Sequence, residues 1–202
     1  MTSDFAFTRR RLLLLAGAGA LGACTRDRFR LEPVVIGGAE VVPTMTIMEA
    51  ISASADHRRL AAALRETGLD AALEGPGPFT LLAPTDKAFD TMKPRKEADR
   101  VRSDPGILKR VLRGHILPAR VSGADIDAGI EENGGETKAL GLNGIPVAFD
   151  REGVDTRVYD VRRRRGLFGP SDAIAVNGLI HVIDEVLLLP QSEEDEANEV
   201  SP

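Results

Sequence analysis

Phe79-Thr80-Leu81-Leu82-Ala83-Pro84-Thr85-Asp86-Lys87-Ala88-Phe89 changes from strand chemistry to helix chemistry within a few residues. With the side-chain period of two, Phe79, Leu81 and Ala83 line one face of a strand and Thr80 and Leu82 the other. Such a strand is covered on both sides and belongs at the centre of a sheet. Pro84 lacks the N–H that a ladder needs, so it is expected to stop the strand. Thr85 is a good N-cap, and Asp86 places a carboxylate where the helix dipole favours it. Phe89 then falls on the first helical turn.

The rest of the chain supplies what such a strand must pack against. A chain of 202 residues, 43% of them hydrophobic, builds one domain with a full core rather than two. Trp is absent and aromatic residues are only 4%, so that core rests on aliphatic side chains and seven Phe, with no stacking platform for nucleic acid. Helix signals come early. Thr46-Ile47-Met48-Glu49 is a capping-box pattern. Asp56 is expected to cap a second helix with Leu60, Ala63, Leu64 and Thr67 on one face and Gly68 as its stop. Gly75-Pro76-Gly77-Pro78 is a turn that delivers the central strand. The chain is then polar up to Asp104-Pro105, which start a helix carrying Ile107, Leu108, Val111 and Leu112, and Ser122–Asp125 start another. Strand signals come late. A strand begins at His115-Ile116-Leu117, and Asn143-Gly144 and Asn177-Gly178 each separate apolar runs in the manner of a hairpin whose central residues take positive φ. The expected class is a single α+β domain.

Residues 1–23 are an export signal. Thr8-Arg9-Arg10-Arg11 precede an unbroken run of Leu, Ala and Gly over residues 12–23, too short for the ~20 residues of a spanning helix. The paired arginines resemble a twin-arginine signal, and Leu21-Gly22-Ala23-Cys24 resembles a lipobox, which makes Cys24 the expected lipidated N-terminus. Cys24 is also the only thiol, so the exported domain has no internal disulfide and catalysis by a cysteine is not expected. Residues 24–38 are expected to be a tether, although Val34–Gly38 has strand character, and residues 39–190 the domain. The tail 191–202, with Glu193, Glu194, Asp195, Glu196 and Glu199 and little to bury, is expected to be disordered. Cleavage removes Arg9, Arg10, Arg11 and Asp4 from 26 basic and 31 acidic residues, leaving 23 and 30, a net charge of −7.

Two ordered boxes carry a resemblance to a known family. Phe79–Phe89 resembles the first signature box of the fasciclin domain, and Asn177-Gly178-Leu179-Ile180-His181-Val182-Ile183-Asp184-Glu185-Val186-Leu187 resembles the second. Gly114-His115-Ile116 stands where that family usually has a Tyr-His pair. The similarity runs from about Val34 to Pro190. It implies a wedge or sandwich of strands with helices packed along its edge, and an adhesion or interaction role outside the cytoplasm. Phe79, Thr80, Pro84, Thr85, Asp86, Phe89, His115, Asn177, Gly178 and His181 are its structural motif residues. In some animal members an Asp-Ile pair just before the second box is implicated in integrin binding. Here the matching positions hold Asp172 and Ala173, so that receptor chemistry is not carried over.

Catalysis is not expected. The three histidines, His57, His115 and His181, form no spacing that ligates a metal, and no nucleophile elbow or phosphate loop is present. His115 and His181 are expected as buried imidazoles, with Thr85 and Asp86 as partners for His115. No cofactor and no metal follow from the residues. The candidate interaction residues are Arg162, Arg163, Arg164 and Arg165, a dense basic run expected on a loop, together with Asp172. Guanidinium groups suit paired hydrogen bonds to carboxylates or phosphates. The expected partners are therefore a protein or an acidic polysaccharide at the surface of a bacterial membrane reached through the lipid anchor, with no nucleic acid. A carrier of a lipophilic molecule such as a carotenoid, which some fasciclin proteins bind, is the alternative.

Overall fold

The computed structural model describes residues 33–92, 95–169 and 173–188. The export signal, Cys24, Asp172 and the acidic tail lie outside the described residues. The chain runs β1 (Val34–Ile36), β2 (Ala39–Val41), α1 (Ile47–Ala53), α2 (Arg58–Glu66), α3 (Asp70–Glu74), β3 (Phe79–Pro84), α4 (Asp86–Thr91), α5 (Arg95–Ser103), α6 (Pro105–Gly114), β4 (Ile116–Leu117), α7 (Gly123–Glu132), β5 (Glu136–Leu140), β6 (Pro146–Glu152), β7 (Asp155–Tyr159), β8 (Arg165–Leu167), β9 (Ala173–Ala175) and β10 (Gly178–Ile183). The strands form a hairpin β1-β2, a mixed sheet in the order β4-β3-β10-β9, and an antiparallel meander β5-β6-β7-β8.

The central-strand reading of the first box holds, and its two faces divide as the side-chain alternation requires. Leu81 and Ala83, fully buried, and the half-buried Phe79 join the core built with α1, α2, α3, α4 and α6. Leu82, also fully buried, joins a second core with Leu117, Ile183 and Leu187, closed by Val147, Phe149 and Val158 of the meander and by Ile126 and Ile130 of α7. The mixed sheet is thus covered on both sides, by helices on one and by the second sheet and α7 on the other, the layering that buries a strand with apolar residues on both faces. Thr80, buried between the sheets, turns its hydroxyl to the chain after β4, donating to the Ala119 carbonyl at 2.7 Å and accepting from the Val121 amide at 2.8 Å.

The two boxes pair with each other. β10 lies parallel to β3 in a continuous register from Gly178↔Phe79 to Ile183↔Pro84. Nothing in the local sequence announces this partnership, because a parallel pair needs a long crossover and leaves no turn signal. Pro84 therefore stays inside the strand rather than ending it. The Phe79 and Thr85 amides bond across to β10, whereas the Leu82 amide bonds to His115 on the β4 side. Pro84 has the same sense as Leu82 but lies beyond the end of β4, where no ladder partner is lost.

Both hairpins form, and neither uses the expected turn. Gly144 has φ +77°, but Asn143 is not at positive φ; Arg163 is the only non-glycine residue that is, among the described residues. The β9–β10 loop is Val176-Asn177, with Gly178 opposite Ala175 already in the ladder. Gly178 is required for a different reason, since a Cβ there would sit 1.9 Å from the Phe79 carbonyl oxygen. The expected domain start at residue 39 falls inside a hairpin, because Val34–Ile36 pairs with Ala39–Val41 and Ile36 is buried. The stretch expected to be polar chain contains α5.

Candidate functional site

The helix starts place the first-box polar residues. Thr85 caps α4, its hydroxyl accepting from the Ala88 amide at 3.2 Å. Asp86 does more than face its own helix dipole: its carboxylate accepts from the Arg59 amide at 2.8 Å in the first turn of α2. Asp56, expected as that cap, makes no side-chain cap bond, and His57 occupies the N-cap position instead. Neither Thr85 nor Asp86 partners His115, contrary to expectation.

His115 follows α6 and is fully buried. The Leu187 amide donates to its Nε2 at 3.0 Å, so Nε2 is the unprotonated nitrogen and Nδ1 donates to the Val111 carbonyl at 2.9 Å. Burial lowers its pKa to about 4, against a small opposing effect of that carbonyl. His181 packs its ring 4.8 Å from Phe168, with Nε2 2.8 Å from the Val121 carbonyl. His57 is buried as well, its Nδ1 2.7 Å from the Ser54 hydroxyl and its Nε2 without a hydrogen-bond partner; burial again lowers its pKa. His115 and His181 hold main-chain groups, whereas His57 is paired with the Ser54 hydroxyl, and both members of that pair are buried. Among the described residues no three His, Cys, Asp or Glu side chains gather as a metal site.

Asn177 is the connector that the turn motif concealed. Its Oδ1 accepts from the Ile47 amide at 2.9 Å at the start of α1, and its Nδ2 donates to the Leu73 and Gly75 carbonyls at the end of α3. One buried amide thereby ties the second box to two helices.

The four arginines expected together on a loop are dispersed. Arg162 meets Glu97 of α5 and Arg164 meets Glu185, with side chains only 17% and 16% exposed. Arg163, 71% exposed, bonds Glu136 of β5. Arg165 opens β8 and stands over the Tyr159 ring at 6.0 Å. The loop is held by Asp160, whose buried carboxylate accepts from the Arg162, Arg164 and Leu188 amides at 2.8, 3.0 and 3.0 Å. On the outer face of the meander Arg157 also approaches Tyr159, at 5.6 Å, while holding Asp150 through two hydrogen bonds. Burial pushes the Asp150 carboxyl up, but the hydrogen bonds from Arg157 and Tyr159 and the nearby guanidinium charge outweigh it and leave its pKa lowered. The same burial, with the Asp150 hydrogen bond, raises the Tyr159 hydroxyl. Arg163 and Arg165 thus both approach the edge of this face at Tyr159, whose ring is largely buried, and their guanidinium groups are of a kind suited to holding an anionic or hydrogen-bonding partner.

The family model of the fasciclin domain matches residues 55–190. The chain belongs to the fasciclin-domain family. It is 32% identical over 157 residues to pig "Transforming growth factor-beta-induced protein ig-h3", covering 76% of this chain and 21% of that one, so it spans about a fifth of that relative's length. It is 28% identical over 162 residues to "Protein sll1483" of Synechocystis sp., covering 79% of this chain and 82% of the relative. The solved FAS1 domain pair from the insect cell adhesion molecule fasciclin I superposes with a TM-score of 0.64 at 17% identity, covering 81% of this chain and 59% of that one. The fasciclin fold is therefore common to both, and the expected α+β class and the recognition of both boxes stand. Gly114, where the resemblance expects Tyr, lies against the Asn143 side chain. No helix among the described residues is long and apolar enough to cross a membrane.

Proposed function

We propose that this fasciclin-domain chain is exported, anchored to a bacterial membrane by lipid on Cys24, and serves in adhesion or interaction with a protein or an acidic polysaccharide, without catalysis. The observation that carries this reading is the conjunction of a fasciclin match over residues 55–190 with Leu21-Gly22-Ala23-Cys24 shortly upstream of it. Insect fasciclin I, named a cell adhesion molecule, shares the fold. The box histidines support a non-catalytic role because their ring nitrogens hold main-chain groups. Of the predicted interaction residues, Arg163 and Arg165 beside Tyr159 form the surface we assign to the partner. The carrier alternative gains no support from the pocket between α6, β6 and Leu187–Leu188, whose cavity volume of about 10 Å³ has room for no more than about one water.

Fatty-acid labelling of cells expressing wild type and Cys24→Ser tests the anchor. Label in the wild type alone is expected, and no label in either would end the lipoprotein reading. Capture from crosslinked envelopes with wild type and the Arg163→Gln/Arg165→Gln pair tests the surface. A partner recovered equally well by both would place the interaction elsewhere.

A further inference from the structure

Among the described residues, three of the four edges of the two four-stranded sheets are closed by the chain itself. At the β4 edge the Leu142 amide donates to the Ile116 carbonyl at 2.8 Å. Beside β9 lies the β1–β2 hairpin, and the Val176 amide donates to the Met45 carbonyl at 2.8 Å. At the β8 edge the Leu167 amide donates to the Asp184 carboxylate at 2.6 Å, and Phe168 bridges to Ile183 of β10. The β5 edge differs. The Gly141 amide bonds the Ile145 carbonyl at 3.1 Å, so antiparallel alternation makes Leu140↔Pro146, Lys138↔Ala148 and Glu136↔Asp150 the non-hydrogen-bonded pairs. Pro146, which has no N–H, suits such a position. The main-chain N–H and C=O groups of Glu136, Lys138 and Leu140 therefore point away from β6, and they meet no hydrogen-bond partner among the described residues. Helix α7 lies on a face of this sheet, with Ile126 and Ile130 in the core beside Val147 and Phe149 of β6, rather than in the plane of the strand.

An open edge is a template for another strand, and its side chains decide which one. Lys138 on an edge ordinarily deters pairing, because an incoming strand brings it no counter-charge. A second β5 brings one. Laid antiparallel about a two-fold axis at Thr137, β5 sets its Glu136 opposite Lys138 of the other copy and its Lys138 opposite the other Glu136. Both residues present outward main-chain groups, so each of these pairs exchanges backbone hydrogen bonds as well as opposite charges. Lys138 and Arg163 of the same chain already lie 3.1 and 2.9 Å from Glu136, but a carboxylate with two acceptor oxygens has room for a further cation. The neighbouring registers lack this match. With the axis at Lys138 the two ammonium groups face each other, and with it at Ala139 each Lys138 faces Leu140. We propose that β5 pairs with β5 of a second copy of this chain in the Thr137-centred register, joining two meanders into one continuous sheet.

The test follows sedimentation of the full chain carrying Cys24→Ser over a range of concentrations, where a monomer–dimer equilibrium is expected. Lys138→Glu sets carboxylates against each other across the axis, and Glu136→Lys does the same with ammonium groups. Each variant alone should therefore associate at least severalfold more weakly. Mixed together they should recover the dimer, because every facing pair is then of opposite charge. Oxidation reads the register separately. Facing residues of a non-hydrogen-bonded pair have Cα atoms about 4.5 Å apart, within disulfide range, so Thr137→Cys should give a covalent dimer while Lys138→Cys and Ala139→Cys do not. A parent that stays monomeric at every concentration would overturn the proposal, as would association that both charge variants retain. So would variants that stay apart when mixed although their melting temperatures are unchanged. A covalent dimer from Lys138→Cys or Ala139→Cys in place of Thr137→Cys would refute the register.

Discussion

Substitution of Asn177 separates two explanations of the second box. If Asn177 were there for turn conformation, Asn177→Gly would be neutral or stabilising, because Gly takes positive φ freely. The structure puts no positive φ at this position and gives the side chain three main-chain hydrogen bonds instead. Removing it strands the Ile47 amide and the Leu73 carbonyl in buried surroundings, while the Gly75 carbonyl is only partly buried. At roughly 1–3 kcal/mol for each stranded buried group, Asn177→Ala should cost about 3 kcal/mol. That is a large part of a domain's ~5–15 kcal/mol. With a slope of about 2 kcal/mol/M, the urea midpoint falls by about 1.5 M. Asn177→Gly should fall at least as far, since Gly adds backbone entropy to the loss. Asn177→Asp keeps the acceptor for Ile47 but turns a carboxylate toward two carbonyl oxygens. Its folded pKa is then raised above the unfolded value, so its deficit relative to wild type should be largest at pH 7 and shrink as pH falls through that raised pKa. An Asn177→Gly protein with the wild-type midpoint would refute the connector role and restore the turn explanation.

Acid should act on the fold through its buried histidines. His115 has a folded pKa of about 4 against about 6.5 unfolded, so the unfolded chain binds the extra proton between those values. Stability is then flat above pH 6.5 and falls by about 3 kcal/mol as pH drops to 4, with His57 adding in the same direction. Denaturant titrations at pH 7, 6, 5 and 4.5 read this slope, and His115→Gln should be less stable at pH 7 but flatter; an equal slope would assign the acid sensitivity elsewhere. Asp160→Ala deletes an acceptor for three amides and should cost about 2–4 kcal/mol by melting, releasing both the 160–164 loop and Leu188. A melting temperature unchanged by Asp160→Ala would mean that the loop is held by its salt bridges instead.

What could be read from the sequence was what depends on neighbours within a few residues. The β3 faces, the Thr46 capping box, the helix start at Ser122, the Thr85 and Asp104 caps and the Gly68 stop are local contests between hydrogen-bond donors and backbone geometry, and each formed as expected. The parallel β3–β10 ladder, Asp86 at the start of α2 and the reach of Asn177 to Leu73 depend on groups far apart in the chain, for which no local pattern exists. Helix α5 escaped notice because Ala98 and Val101 are its only buried apolar residues among charges, too few to mark a period.

Charge misleads a sequence reading more than apolarity does. A Leu in the strand pattern has one place to go, whereas an Arg is satisfied by any carboxylate within a side chain's length, and the sequence does not say which strand will bring it. Thus Arg162-Arg163-Arg164-Arg165, the densest basic run outside the export signal, ends largely neutralised by Glu97, Glu136 and Glu185, which come from three different parts of the chain. Lys109, Arg110 and Arg113, spread over five positions and unremarkable as a string, converge on one helix side and keep their charge. A partner that recognises charge responds to what remains after internal pairing. For this fasciclin domain such charge is spread, among the described residues, over exposed cations of several helices, Arg58 and Arg65 of α2, Lys87 of α4 and Lys109 and Arg110 of α6, so the density of a basic run in the sequence is no guide to where charge survives.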